Sequence, residues 1–177
     1  MREALKRVAV LLKEGDVPFA LAGGYALYAR GGPESDHDVD FYLPEEEVGR
    51  AEKVLTKAGL RVEHPPEDWL VKVYSDDSMV DLIFRPSGMP VTTEILDRAE
   101  AMEVESVKMP VLAATDLVTS KLLAMDEHYC DFSQMLPFAR SLREQVDWAE
   151  VAARTRDNAF ARAFLQLARD LDIVPAT

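Results

Sequence analysis

Cysteine is almost absent from this 177-residue chain. Cys130 stands alone, so no intrachain disulfide can close and no thiolate-based zinc site can assemble. A reducing, cytoplasmic setting is expected. Histidine is nearly as scarce: the three residues, His37, His64 and His128, lie far apart in sequence and offer no imidazole cluster for a metal. Basic charge is short as well. Twenty Lys and Arg stand against 32 Asp and Glu, a net charge of −12. Residues 1–112 hold 13 basic against 22 acidic side chains and residues 113–177 hold 7 against 10, so neither part is basic. Such totals exclude a protein that coats nucleic acid by neutralising its phosphates. Long apolar runs are missing too, with nowhere 18 uncharged apolar residues in a row, so no membrane span is expected. The N-terminal MREALKRVAVLLKEGD is interrupted at helical spacing by Lys6, Arg7, Lys13 and Glu14, and reads as an amphipathic helix rather than a signal peptide.

What is present is an ordinary globular mixture, 48% hydrophobic and 29% charged, in a chain long enough to bury roughly 70% of its unfolded surface. Val17 to Ala22 is a short apolar run between Asp16 and the Gly23-Gly24 pair, which predicts a buried strand. A short helix over Gly24 to Arg30 then stops at Gly31-Gly32-Pro33. Val39, Phe41 and Leu43 alternate with Asp38, Asp40 and Tyr42, the period of a strand that Pro44 ends. A helix is expected to begin there, its first turn carrying Glu45, Glu46 and Glu47. Further strands are expected near 61–64, 70–74 and 79–84. From about Thr115 the pattern is helical, with segments near 132–142, 148–154 and 159–171. The fold class is α/β: a mixed β-sheet core over residues 1–112, followed by a helical C-terminal region over 113–177 packed on it.

Asp38 and Asp40 are two apart on a predicted strand, so both project from one face while Val39 and Phe41 turn to the other. Adjacent carboxylates repel, and the pair persists most easily where a cation fills the gap. Oxygen ligands of this kind suit Mg²⁺. Asp81 lies inside VDLIF, where an unpaired charge on a hydrophobic strand is costly; if the two strands are neighbours, three carboxylates can share a two-metal site. Acids at strand ends are also common in a chain with 32 of them, and Gly-Gly pairs are commonly plain turns. The order strand, Gly-Gly, helix, loop, DxD strand and then a lone Asp about forty residues on is more specific than any one of its parts, because Gly23 and Gly24 let backbone N–H groups approach a phosphate.

This order, carried by LAGGYALYARGGPESDHDVDFYL (Leu21 to Leu43) and VDLIF (Val80 to Phe84), resembles the nucleotidyltransferase superfamily whose best known member is DNA polymerase beta. The resemblance implies a polymerase beta-like core, with Gly23 and Gly24 holding the triphosphate of an NTP co-substrate, Asp38 and Asp40 binding Mg²⁺, and Asp81 completing the metal site or acting as base. DLVTSKLLAMDEHYCDFSQML (Asp116 to Leu136) looks like the lysine helix of the minimal, toxin-type (abortive-infection, MenT-like) and antibiotic-modifying branches, and by that resemblance Lys121 and Asp131 are catalytic. Ser35, in the loop before the DxD, is a candidate phosphate or ribose contact, beside Asp36 and His37 in the same polar loop.

The expected reaction is Mg²⁺-dependent transfer of an NMP from an NTP to an acceptor hydroxyl. The acceptor is tRNA as in toxin-type relatives, with an antitoxin as a partner, or an antibiotic of the aminoglycoside or lincosamide kind; a non-catalytic nucleotide-binding partner domain is a third reading. Charge separates the first two. A tRNA enzyme needs Arg140, Arg143, Arg154 and Arg156 gathered near Lys121, whereas a cationic small molecule suits a rim of Glu34, Asp36, Asp76 and Asp77.

Overall fold

Two-residue alternation builds the centre of the molecule. In the computed structural model, which describes residues 1–34 and 38–174, strand β1 (Ala20–Ala22) runs directly into helix α2 (Gly23–Ala29), behind an N-terminal helix α1 (Arg2–Glu14). The chain returns as β2 (Val39–Tyr42), and Pro44 introduces a single 3₁₀ turn over Glu45–Glu47 before α3 (Val48–Lys57). The meander β3 (Arg61–Glu63), β4 (Leu70–Ser75) and β5 (Ser78–Ile83) follows; after α4 (Thr93–Asp97), the hairpin β6 (Glu100–Val104) and β7 (Val107–Val111) closes the strand set. The seven strands form one mixed sheet in the order β3-β4-β5-β2-β1-β7-β6. β2 pairs with β5 and β1 with β7 in parallel, and the remaining pairs are antiparallel.

Val39 and Phe41 on β2 and Val80 and Leu82 on β5 are fully buried. They make the apolar face, against which α1 packs at β5 with α3 alongside it; Phe41 meets Phe19 edge-on at 5.4 Å. The other face carries Asp40, Tyr42 and Asp81. Helix α5 (Ala114–Leu123) lies over this face, tied to β2 by a 2.6 Å hydrogen bond between the Tyr42 hydroxyl and Ser120 Oγ. Helices α6 (Phe132–Leu142), α7 (Trp148–Arg154) and α8 (Ala159–Asp170) pack around α5, and one buried hydrophobic cluster extends from Ala4 to Val174.

Two expectations shift. The Val17–Ala22 run is strand only from Ala20, because Pro18 has no N–H for a ladder. The stretch from 85 to 112, for which no element is expected, holds α4 and the β6–β7 hairpin. No helix among the described residues is long and apolar enough to cross a membrane.

Candidate active site

Register brings the acids together. Asp40 on β2 stands opposite Asp81 on β5, and the parallel pairing extends one residue to either side through Val39–Val80 and Phe41–Leu82. Asp38 lies exposed just before β2. Burial, with the Asp81 charge next, pushes the Asp40 carboxyl up to about 7; Asp38 raises it further, and Lys121 and Lys72 oppose. Burial also raises Asp81, against the pull of Lys72, whose Nζ donates to Asp81 Oδ1 over 3.3 Å. Lys121, on the face of α5 that meets Asp40, is lowered by burial while the Asp40 charge opposes.

Gly23 opens α2 at φ +59, and a Cβ there would fall on Asp40 Oδ2. Glycine is therefore required twice, for the backbone conformation and for the close approach of the carboxylate. Gly24 follows as the second residue of α2. Gly23, Asp40, Tyr42, Ile83, Ser120 and Lys121 line a pocket of about 140 Å³. It shares Lys121 with a second pocket, of about 120 Å³, between α5 and α6, where Lys121 Nζ lies 5.6 Å from the Phe138 ring centre.

Asp131 lines that second pocket. Its carboxylate caps α6, accepting from the backbone N–H groups of Ser133 and Gln134 and from Ser133 Oγ at 2.6 Å, and these bonds hold it below the usual carboxylate range. Ser35 and His37 lie outside the described residues, as does Asp36.

Sequence reasoning missed a second carboxylate cluster. Asp116, buried on α5, takes Arg98 Nε on one oxygen at 2.9 Å, with Arg98 Nη2 and Arg154 Nη1 both at 2.7 Å on the other. The available signal was an acid within the apolar run of α5. Arg154 also reaches Glu150, Arg143 pairs with Glu144, and Arg156 with Asp157. Asp76 lines a cleft against α1, and Glu34 pairs with Arg2. Neither the four arginines nor the described acids of the expected rim line the pocket at Asp40.

Among the described residues, no three His, Cys, Asp or Glu side chains close on one point as a ready metal cage. The donor chemistry of Asp38, Asp40 and Asp81 nonetheless fits a divalent cation: the set is oxygen only, the Asp81 and Asp38 charges both raise Asp40, and the Asp38 charge raises Asp81, a repulsion that a positive charge among them relieves.

The model of the family described as uncharacterised nucleotidyltransferase matches residues 1–174. The chain belongs to that family. No curated protein sequence matches this nucleotidyltransferase, but solved structures do. The structure of ANT(2'')-Ia in complex with adenylyl-2''-tobramycin is similar at TM-score 0.63 and 16% identity, covering 92% of this chain and 95% of that one. The lincomycin-bound lincosamide antibiotic adenylyltransferase LnuA gives TM-score 0.56 and 12% identity over 82% and 98%. An antigenic nucleotidyltransferase-like protein from Paracoccidioides brasiliensis gives 0.51 and 11% over 93% and 91%. These identities speak for a shared fold. The nucleotidyltransferase is thus an α/β enzyme of the polymerase beta-like superfamily.

Proposed function

We propose that this nucleotidyltransferase moves an NMP from an NTP to a hydroxyl of a small cationic molecule, with Asp38, Asp40 and Asp81 holding Mg²⁺. The observation that carries the reading is the in-register Asp40–Asp81 pair beneath Lys121, with the Asp40 carboxyl raised to about 7 by burial and like charge. Bound there, divalent ions supply charge neutralisation for a triphosphate and let the repelling carboxylates ionise together. The chain's own groups do the rest. Lys121 and the backbone at Gly23 and Gly24 hold phosphate oxygens, and Asp81 accepts the proton of the acceptor hydroxyl. That oxygen bonds to the α-phosphorus, the bond from the α-phosphorus to the bridging oxygen breaks, and pyrophosphate leaves with the electron pair. Asp131 remains a candidate for a contact at the edge of the site, and Ser35 for a phosphate or ribose contact.

The small-molecule acceptor is favoured because none of the four arginines lines the pocket at Asp40 and three of them, Arg143, Arg154 and Arg156, are engaged by Glu144, Asp116 with Glu150, and Asp157. The antibiotics carried by ANT(2'')-Ia and LnuA point to the acceptors to try first. A tRNA acceptor with an antitoxin partner is the second reading.

The test incubates the protein with each α-labelled NTP and Mg²⁺, with an aminoglycoside and lincosamide panel in one arm and total tRNA in another. Label is expected on a small molecule. Asp40→Asn is expected to fold and to lose transfer by at least about a thousandfold. Label on tRNA transfers the reading to the toxin type, and no transfer in any arm favours the non-catalytic one.

A further inference from the structure

Lys72 stands on β4 opposite Asp81 of β5, and Asp81 stands opposite Asp40 of β2, so one line across the sheet reads lysine, carboxylate, carboxylate. The ammonium is poorly held in that line. Its bond to Asp81 Oδ1 is 3.3 Å long, and its other contact is Met79 Sδ at 3.4 Å. Charge-assisted bonds of this type ordinarily close to about 2.7–2.9 Å, and a thioether is a weak acceptor. A quarter of the Lys72 side chain is exposed, whereas the Asp81 side chain is 11% exposed.

Asp116 shows how the same protein treats a carboxylate that stays paired. Three bonds of 2.7–2.9 Å from two planar guanidinium groups close on it, a geometry that fixes both oxygens. Among the described residues, Asp81 has a single long bond, from a flexible, strongly hydrated point charge with water in reach. The first arrangement is a permanent pair and the second is an exchangeable one. The oxygen that Lys72 holds belongs to one of the carboxylates that would hold the metal.

We propose that Lys72 is the resident counter-ion of the carboxylate line: its ammonium holds Asp81 until a divalent cation displaces it, so Lys72 sets the metal concentration at which the site loads. The exchange makes and breaks no covalent bond, and the lysine leaves protonated on its four-carbon stem. This inference rests on the metal role proposed for Asp38, Asp40 and Asp81.

Mn²⁺ binding to the whole chain without nucleotide, read by calorimetry and by electron paramagnetic resonance, tests it. Lys72→Met is expected to bind Mn²⁺ about tenfold more tightly than the parent, since a competing cation near the surface is gone. Lys72→Arg keeps the charge and is expected to bind no more tightly than the parent. In an Asp81→Asn background, Lys72→Met is expected to change nothing, a result that a purely structural lysine would not produce. Circular dichroism checks folding, and Lys72→Gln carries the same expectation if the Met variant does not fold. Unchanged or weaker Mn²⁺ binding in a folded Lys72→Met or Lys72→Gln protein, or equal tightening without Asp81, overturns the counter-ion role and leaves the metal reading standing. Binding by the Lys72 variant alone supports it, and no binding by parent or variant sinks both.

Discussion

Asp40 and Asp116 respond to pH in opposite directions, for reasons visible in their neighbours. Burial and the Asp81 charge lift Asp40 to about 7, so the folded chain holds that proton more tightly than the unfolded one does. The stability it contributes is full below about pH 4 and is lost as pH rises toward 7. At Asp116 burial pulls upward as well, but the hydrogen bonds from Arg98 and Arg154 outweigh it and the carboxyl ends below its ordinary value. Its contribution is present above about pH 4 and is lost under acid. Metal-free Asp40→Asn is therefore expected to gain about 2 kcal/mol over the parent at pH 8 and nothing at pH 4, measured by urea unfolding; parallel pH curves for the two proteins would refute the assignment. Asp116→Ala is expected to lose about 2–3 kcal/mol at pH 7, because two arginines lose a shared partner. That loss shrinks as pH falls below 4. A variant within about 0.5 kcal/mol of the parent at pH 7 would make the cluster an idle one.

Helix α5 is the element on which the site turns, since it carries Asp116 one turn ahead of the adjacent Ser120 and Lys121 and meets β2 through Ser120 and Lys121. Lys121→Ala is expected to weaken NTP binding about tenfold or more, measured by calorimetry, with Lys121→Arg restoring part of it; unaltered NTP affinity in the Ala variant would remove Lys121 from the phosphate site. Periodicity reveals this helix, as it does β2, α6 and α7. It does not reveal β6 and β7. Glu100, Ala101 and Glu103 are exposed on an edge strand, and Pro110 interrupts the pattern of β7. Their turn places Glu105 and Ser106 at φ 49 and 65 without the Asn-Gly signature of such hairpins. At the site, the two-residue spacing of Asp38 and Asp40 is legible because the alternating run from Asp38 to Leu43 contains both, although the strand itself begins only at Val39. Lys72 is not, since in LVKVYS it is only the polar alternate of a strand, and its meaning comes from the cross-strand partner Asp81. The Asp116 cluster is hidden for the same reason, its members lying 18 and 38 residues apart.

At the scale of the whole molecule, a net charge of −12 governs what can approach. Non-specific attraction to RNA depends on phosphate neutralisation and falls steeply with salt. Fluorescence anisotropy with total tRNA is expected to show no binding at about 150 mM salt, near the physiological ionic strength. Tight binding there that weakens steeply as salt rises would contradict the small-molecule acceptor. The sheet meets solvent at β3 and β6, whose exposed Arg61, Glu63, Glu100 and Glu103 discourage pairing with another chain. The parallel pairing of β2 with β5 has a further effect, on which insertions and deletions the gene can tolerate. Asp40 and Asp81 meet because two strands separated by α3, β3 and β4 keep one register, and a slip by one residue in either strand turns its carboxylate into the apolar layer and a valine or leucine into the pocket. Residues can be added or lost in the loops around Pro65 and Pro66, which absorb length, but a single codon gained or lost inside β2 or β5 would silence the enzyme while leaving most of its core composition unchanged.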